Sequence, residues 1–348
     1  MLKINSIIHI YAEPADYTID LINNIDKKLK IEYAFLNNHS KYNFENIKEK
    51  KINFSSLKNI ILTKHIIIIN GYLNWVFFSL FILRLLNIIK VKIGIESDTF
   101  FRERPSFTNK IKRFIFSRKF IFGLAGGYHG HKQYFIKNGM KKQNIFVFPM
   151  MVDSKKFKCN IKPITDKIKF YFLGKFYERK NVGFLIESFL MASKKNNNIE
   201  LNLIGDGPDF SKLKSLYEKF DHIKFYGPIK NKDLQDIIKD FHYIILPSKY
   251  EPWGLVINES FACGKLALVS NEIGCIDDFK DIIHDWMIFN PYSKDSLVKA
   301  ILDAAKYKDY DKYANKASHF INFKWNYKHY ETNLFKFLDY VDKKNNKT

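Results

Sequence analysis

Three short runs of consecutive apolar residues constrain the fold of this chain more than any other feature. They are Ile66–Ile69, Tyr243–Leu246 and Leu266–Val269, and no charged residue interrupts any of them. Strands that are buried on both faces have this pattern, and such strands occur mainly in parallel sheets. Because helical patterns separate these runs along the chain, we predict an α/β fold built from doubly wound parallel sheets.

The chain has 348 residues, which is more than one hydrophobic core usually serves, so two domains are expected. Hydrophobic residues make up 46% and charged residues 27% of the sequence, which is the composition of a globular protein. A polar stretch that follows Phe157 and ends near Lys167 is interpreted as the linker between the domains.

The formal net charge of +21 is distributed unevenly along the chain. Residues 1–155 contain 25 Lys and Arg against 11 Asp and Glu, a net charge of +14, and the remainder contains 32 against 25, a net charge of +7. The segment from Arg104 to Val152 contains no acidic residue. A basic first half indicates an anionic partner, which is a membrane surface, a nucleic acid or a phosphorylated lipid.

Two segments bear on the membrane hypothesis. Residues 110–122 predict an amphipathic helix, which either lies on an anionic membrane or packs against its own domain. Residues 73–89 are strongly apolar, but a membrane span needs about 20 apolar residues. Arg84 and Asn87 interrupt this segment, so we interpret it as the buried helix of a βαβ unit.

Neither a metal centre nor a cofactor is expected. The three cysteines have no metal-binding or redox spacing, the pair His129 and His131 has no third ligand nearby, and the adjacent Asp277 and Asp278 lack the spacing of a metal motif. The chain begins with Met1 and leads directly into a predicted strand without a secretory signal. A cytoplasmic location is therefore expected, peripheral on the inner face of the membrane if the basic half binds lipid.

The stretch from Tyr243 to Lys265 combines a buried strand, a turn that carries Glu251 and a helix that carries Glu259. Pro252 suits the first turn of such a helix because that position needs no N–H donor. Between the two glutamates lie backbone N–H groups that attract anions and hydroxyls; they belong to Trp253, Gly254 and Leu255. Spacing alone leaves open whether this is a ligand site or two solvated glutamates.

Two further loops follow predicted strands. Gly174 opens the loop G-K-F-Y-E-R-K-N, which brings Lys175, Arg179 and Lys180 to the end of a strand. The next predicted strands end at Gly205 and Gly227, where glycine permits close approach of the backbone.

In this order the motifs resemble those of retaining glycosyltransferases of family 4, which have the GT-B fold. The resemblance implies two Rossmann-like domains that face a cleft, with a C-terminal helix that crosses back to the first domain. The implied bounds are 1–158 for an acceptor-binding domain, 159–322 for a nucleotide-sugar-binding domain and 323–348 for the returning helix. The motifs that match the family lie in the family's order over residues 145–295, and few of them occur before residue 145.

The resemblance also implies roles for the residues. Glu259 would bind the ribose hydroxyls, Glu251 the hydroxyls of the donor sugar, and Lys180 the diphosphate. The other residues implied in donor binding are Gly174, Lys175, Arg179, Gly205, Gly227, Trp253, Gly254 and Leu255. Lys175 replaces the family's usual arginine and so cannot form a bidentate contact, which is why Arg179 is expected to share its task.

For the acceptor we predict Asp98 as an orienting carboxylate or base, with neighbouring Glu96 as the other candidate and a helix-capping role as the structural alternative. The predicted reaction moves a sugar from a UDP- or GDP-sugar to a glycan or lipid-linked acceptor, in surface polysaccharide or lipopolysaccharide synthesis. A transferase with a soluble acceptor is the near alternative. A nucleic-acid-binding protein is the distant one, and it is disfavoured because no module interleaves basic residues with aromatic ones.

Overall fold

The computed structural model describes residues 7–25, 31–37, 52–102, 108–157, 161, 164 and 167–345. The chain divides into two compact units. Residues Met1–Met151 and Tyr327–Thr348 form the first domain, and residues Val152–Asn326 form the second.

The first domain is a six-stranded parallel sheet with the strand order β2-β1-β3-β4-β5-β6. Its strands are β1 (Ile7–Tyr11), β2 (Glu32–Phe35), β3 (Ile66–Asn70), β4 (Lys92–Ser97), β5 (Ile121–Ala125) and β6 (Ile145–Val147). Its helices are α1 (Asp16–Asn24), α2 (Phe54–Thr63), α3 (Trp75–Leu85), α4 (Thr108–Phe116) and α5 (Gly130–Lys137). The chain builds outward from β1 to β2 and then to β3 on the other side, so the topological switch point lies between β1 and β3.

The second domain repeats this architecture with the strand order β12-β11-β10-β7-β8-β9. Its strands are β7 (Ile168–Leu173), β8 (Ile199–Ile204), β9 (Ile223–Gly227), β10 (Tyr243–Leu246), β11 (Leu266–Ser270) and β12 (Ile288–Phe289). Its helices are α6 (Val182–Ser193), α7 (Phe210–Tyr217), α8 (Asn231–Ile238), α9 (Leu255–Ala262), α10 (Lys294–Lys306) and α11 (Tyr310–His319). Here the switch point lies between β7 and β10.

The last helix, α12 (Tyr327–Asn345), belongs to the first domain. The ring of Phe337 packs edge-on against Phe122 of β5 and Phe146 of β6, with centroids 5.7 and 5.2 Å apart. The three continuous apolar runs are all buried parallel strands, which confirms the predicted α/β doubly wound architecture.

Two local predictions were wrong. The helix predicted over residues 110–122 ends at Phe116. Phe122 fitted the apolar side of that helix in the sequence pattern, but it is a buried residue of β5. Pro252 precedes α9 rather than opening it, because the left-handed conformation of Gly254 (φ +97°) separates the two.

The apolar segment that follows β3 forms α3, which has 11 residues. Across the part of the chain that the structure describes, no helix has both the length and the apolar character needed to span a membrane.

Candidate functional site

The predicted donor residues gather at the carboxyl ends of β7 and β10, on either side of the switch point of the second domain. The loop after β7 carries Lys175, Arg179 and Lys180, and the loop after β10 carries Glu251. Open α/β sheets bind ligands at this place because the connections from the two strands leave in opposite directions and open a crevice.

Three glycines bring the ends of neighbouring strands together. The N–H of Gly174 donates to the carbonyl of Ile204 (3.1 Å), and the N–H of Gly205 donates to the carbonyl of Gly227 (2.9 Å). Gly205 has φ +128°, and a Cβ there would lie 1.8 Å from the carbonyl oxygen of Gly174. Only glycine fits at position 205, and the loops at this edge can therefore lie directly against one another.

The main feature of the site is a carboxylate held by two cations. Lys180 Nζ and Arg179 Nη1 both donate to Oε2 of Glu251, the second over 3.2 Å. The side chain of Lys180 is 12% exposed and that of Glu251 is 14% exposed, whereas Arg179 is half exposed. The structure thus brings Glu251 against two adjacent cations that precede it by 72 and 71 positions in the sequence.

Backbone hydrogen bonds fix the position of Glu251. Its N–H donates to the carbonyl of Glu272 (3.1 Å), and its own carbonyl accepts from the N–H of Gly274 (3.0 Å), which forms an isolated parallel bridge. On the other side, the N–H of Lys249 donates to the carbonyl of Arg179 (2.8 Å). The two loops are therefore joined by main-chain contacts, and the carboxylate of Glu251 is positioned in advance of any ligand.

Lys175 has a different environment from Lys180. Its side chain is 61% exposed and pairs with Asp206 over 2.5 Å rather than with Glu251. The hydrogen bond that Lys175 donates to Asp206 raises the pKa of the lysine. Arg179, rather than Lys175, is therefore the second cation at Glu251.

Helix α9 presents its N-terminus at the same edge. Gly254 is its N-cap, and the first N–H groups of an α-helix have no carbonyl partner within the helix. Glu259 lies on the second turn and is partly buried. The positive end of the helix and the nearby cations make this edge of the sheet favourable for an anion.

Trp253 serves the core rather than the surface of the site. Its side chain is 2% exposed, stacks on Trp325 with centroids 5.5 Å apart, and donates from Nε1 to Asn258 (2.9 Å). Of this residue, only the backbone remains for the ligand contact that the resemblance implied.

In the first domain, Glu96 and Asp98 both lie at the carboxyl end of β4. Glu96 is buried, accepts from Nδ2 of Asn70 (3.3 Å) and shares a hydrogen bond with Nε2 of His9 (3.1 Å). Asp98 is partly exposed and precedes the start of α4 at Thr108 by ten residues. The hydrogen bonds of Glu96 were not foreseen, although Asn70 and Glu96 both end neighbouring parallel strands, a position that would have indicated their proximity.

The described residues contain no group of three or more His, Cys, Asp and Glu side chains arranged to hold a metal ion. Of the two histidines His129 and His131, the second is fully buried on α5.

The sequence model of one family, described as "Glycosyl transferases group 1", matches residues 153–319. This range covers the loops after β7, β8 and β10 and both glutamates of the site. The second domain belongs to the glycosyl transferases group 1 family.

Among curated proteins, the chain is similar to an uncharacterized glycosyltransferase, YqgM of Bacillus subtilis (strain 168). The two are 28% identical over 149 residues, which is 41% of this chain and 42% of that protein. The matches span less than half the length of the curated relatives.

Solved structures resemble the whole chain. HepE of Anabaena in complex with UDP has a TM-score of 0.73 and 13% identity, with 96% of this chain and 99% of that one covered. The apo form of the lipopolysaccharide outer core galactosyltransferase WaaB has a TM-score of 0.71 and 16% identity, with coverages of 95% and 99%. At this identity the likeness shows the fold, which is the α/β fold of GT-B glycosyltransferases.

Proposed function

We propose that this protein is a glycosyltransferase that moves a sugar from a nucleoside-diphosphate sugar to a glycan or lipid-linked acceptor. One observation carries the proposal: two cations from the loop after β7 converge on Glu251 beside the N-terminus of α9, within a glycosyl transferases group 1 domain. The diphosphate of a nucleotide sugar needs this combination of positive charges and free N–H groups.

The reaction gives each group a task. As the bond to the sugar breaks, negative charge grows on the departing diphosphate, and Lys180 and Arg179 stabilise that charge. Glu251 holds hydroxyls of the donor sugar, and Glu259 holds the ribose. In the structure both Lys180 and Arg179 donate to the carboxylate of Glu251. When the donor binds, its diphosphate replaces Glu251 as the acceptor of some of these hydrogen bonds.

The proposed stereochemical course is retention. The acceptor hydroxyl attacks from the side of the leaving group and gives its proton to the departing phosphate, so no protein nucleophile takes part. Asp98 orients the acceptor. The donor is a UDP- or GDP-sugar, a choice supported by the UDP bound in the similarly folded HepE.

The ribose contact is tested by the variant Glu259→Ala. We expect it to abolish the thermal shift that UDP or GDP produces in the wild type, because the loss of a carboxylate that accepts from two ribose hydroxyls costs about 2–3 kcal/mol, roughly 30–150-fold in affinity. Differential scanning fluorimetry at matched nucleotide concentrations measures the shift.

Glu218→Ala is the matched control, since Glu218 is a half-exposed glutamate that follows α7 and pairs only loosely with Lys214 (3.9 Å). Its nucleotide shift should equal that of the wild type. An undiminished shift in Glu259→Ala would contradict the ribose assignment.

We further propose that the first domain docks on an anionic membrane, and α3 provides the support. One face of this helix packs into the core; its buried residues are Val76, Phe77, Leu80 and Phe81. The opposite face is also apolar but lies exposed, with fractions of 39–53%; it consists of Trp75, Phe78, Ile82 and Leu85. An exposed apolar face of this kind marks an interaction surface, and in an amphipathic setting it enters the lipid headgroup boundary.

Helix α4 supplies basic residues next to this face. The rings of Phe81 on α3 and Phe114 on α4 are 6.1 Å apart, and Ile111 and Phe114 are about half exposed. Lys110 and Arg113 are exposed on the same helix. The proposed location is therefore the inner face of the cytoplasmic membrane, where anionic lipids attract such residues.

Vesicle sedimentation tests the docking surface. The wild type is expected to sediment with vesicles that contain anionic phosphatidylglycerol and to remain in solution with pure phosphatidylcholine. The double variant Phe78→Ser/Ile82→Ser should lose at least about tenfold in partitioning, because two apolar side chains no longer enter the bilayer.

The control Leu216→Ser changes an equally exposed leucine on α7 of the second domain and should bind vesicles as the wild type does. Equal partitioning of all three proteins, or no sedimentation of the wild type, would contradict the docking proposal and favour a soluble acceptor. With docking, the acceptor is a lipid-linked glycan or a lipopolysaccharide core, which is the class named for the similarly folded WaaB.

A further inference from the structure

Ser270, the last residue of β11, joins two loops at the candidate donor site. Its Oγ donates to the carbonyl of Ser248 in the loop after β10 (2.6 Å). The same oxygen accepts from the N–H of Glu272 in the loop after β11 (3.3 Å). One hydroxyl group therefore acts as donor and acceptor at once, and it connects the two loops where they leave the sheet.

The contact between the two serines is shielded from water. Ser248 and Ser270 are both 0% exposed. A buried carbonyl that loses its donor costs more free energy than the hydrogen bond contributed, because no water hydrates it. Water therefore cannot replace the hydroxyl of Ser270 in holding the carbonyl of Ser248.

Both loops that Ser270 joins lead directly to Glu251. Ser248 precedes Glu251 by three residues, and the carbonyl of Glu272 accepts from the N–H of Glu251 (3.1 Å). The carbonyl of Glu251 in turn accepts from the N–H of Gly274 (3.0 Å). The hydroxyl of Ser270 thus holds both segments of the isolated parallel bridge that fixes Glu251.

The loop after β7 holds Glu251 from its other side. The guanidinium of Arg179 donates to the carbonyl of Tyr250 and to the carboxylate of Glu251, each over 3.2 Å. Its side chain is half exposed, so water and a bound diphosphate compete for these hydrogen bonds. The support from Ser270 is buried and persists when Arg179 contacts a ligand.

We propose that Ser270 is a positioning residue, which acts on sugar transfer through Glu251 and touches neither donor nor acceptor. The inference rests on the proposed transferase function. Glu251 holds the donor sugar only if its carboxylate stays where the two loops place it, and a displacement of about 1 Å can cost about 100-fold in rate. Loss of the hydroxyl therefore lowers turnover, whereas Lys180 and Glu259 still bind the nucleoside diphosphate.

The variant Ser270→Ala removes the hydroxyl without adding volume. At saturating donor we expect turnover, measured as release of UDP or GDP from the nucleotide sugar, to fall at least about tenfold. The dissociation constant for UDP or GDP, measured by isothermal titration, should stay within about threefold of the wild type. Turnover is counted per nucleotide-binding chain, so that an unfolded fraction does not enter the comparison.

A double variant separates positioning from a general effect on the fold. In the Glu251→Gln background, Ser270→Ala should lower turnover by less than about twofold, because there is no longer a carboxylate to position. The control Ser188→Ala removes another fully buried serine hydroxyl, which donates to the carbonyl of Phe184 within α6 (2.8 Å). Its turnover should stay within about twofold of the wild type.

Hydrogen–deuterium exchange with single-amide resolution tests the same role without relying on activity. The amides of Glu251 and Gly274 should exchange slowly in the wild type and at least about fivefold faster in Ser270→Ala, with no change in Ser188→Ala. Fast exchange of both amides in the wild type, or equal rates in the wild type and Ser270→Ala, would overturn the inference.

The kinetic outcomes separate the inference from the proposed function. Undiminished turnover in Ser270→Ala, or equal fold losses with and without the Glu251 carboxylate, would overturn the positioning role alone. A wild type that releases no UDP or GDP from any nucleotide sugar would overturn the transferase function, and the exchange rates would then decide whether Ser270 positions Glu251.

Discussion

The variant Glu251→Gln is expected to lose at least about 100-fold in turnover while binding the nucleoside diphosphate more tightly than the wild type. Glutamine keeps the size of the side chain but removes the charge that holds Lys180 and Arg179. Lys180 is only 12% exposed, and a poorly solvated cation without its anion is unfavourable. A bound diphosphate relieves that cost, so the affinity for the nucleotide rises while the sugar loses its partner.

Release of UDP or GDP from the nucleotide sugar measures turnover, and isothermal titration measures the affinity. Glu178→Gln is the control in the neighbouring loop, because Glu178 is almost fully exposed and contacts Lys249 (3.1 Å). It should stay within about twofold of the wild type in both measurements. Unchanged turnover in Glu251→Gln would contradict the role of Glu251 in holding the donor sugar.

The variant Lys180→Ala is expected to lose about 100- to 1,000-fold in turnover and about tenfold in affinity for the nucleoside diphosphate. The larger effect falls on turnover because the charge on the leaving group grows in the transition state. Lys180 is mostly buried beside Glu251, so water cannot replace its ammonium group.

Lys175→Ala provides the comparison within the same loop. Lys175 is 61% exposed and pairs with Asp206, so its removal should reduce turnover by less than about tenfold. The ratio of the two effects matters, because the family resemblance assigns both lysines to the diphosphate while the structure places only Lys180 at Glu251. Equal losses in the two variants would contradict the assignment of Arg179 as the second cation.

Much of the architecture was predictable from the sequence. Continuous apolar runs such as Ile66–Ile69 indicate strands that are buried on both faces, and those strands require a parallel sheet with helices around it. Glycines that follow predicted strands, such as Gly205, mark the edge at which loops approach closely. Each of these signals lies within a few consecutive residues, so it can be recognised in the sequence without knowledge of the tertiary structure.

The contacts that define the site were not predictable in the same way. The pairing of Glu251 with Lys180 depends on β10 lying next to β7, which no local pattern encodes. The prediction for Trp253 concerned its backbone N–H, and the motif gave no sign of where its ring lies; the stacking of that ring on Trp325 arises from tertiary packing.

The exposed face of α3 is another feature that the sequence alone did not predict. An apolar segment without acidic residues predicts a buried helix, and one face of α3 is indeed buried. The sequence does not show that Phe78 and Ile82 lie on the opposite face, where they remain exposed. Helical periodicity cannot separate the two faces when both are apolar.

Isothermal titration of the 348-residue chain with UDP, GDP and ADP decides whether this protein uses a nucleotide-sugar donor. We expect UDP or GDP to bind with one site per chain and Lys180→Ala to weaken this binding about tenfold. The claim is contradicted if none of the three nucleotides binds while the protein retards RNA or DNA in a gel, because its basic residues would then serve a nucleic acid.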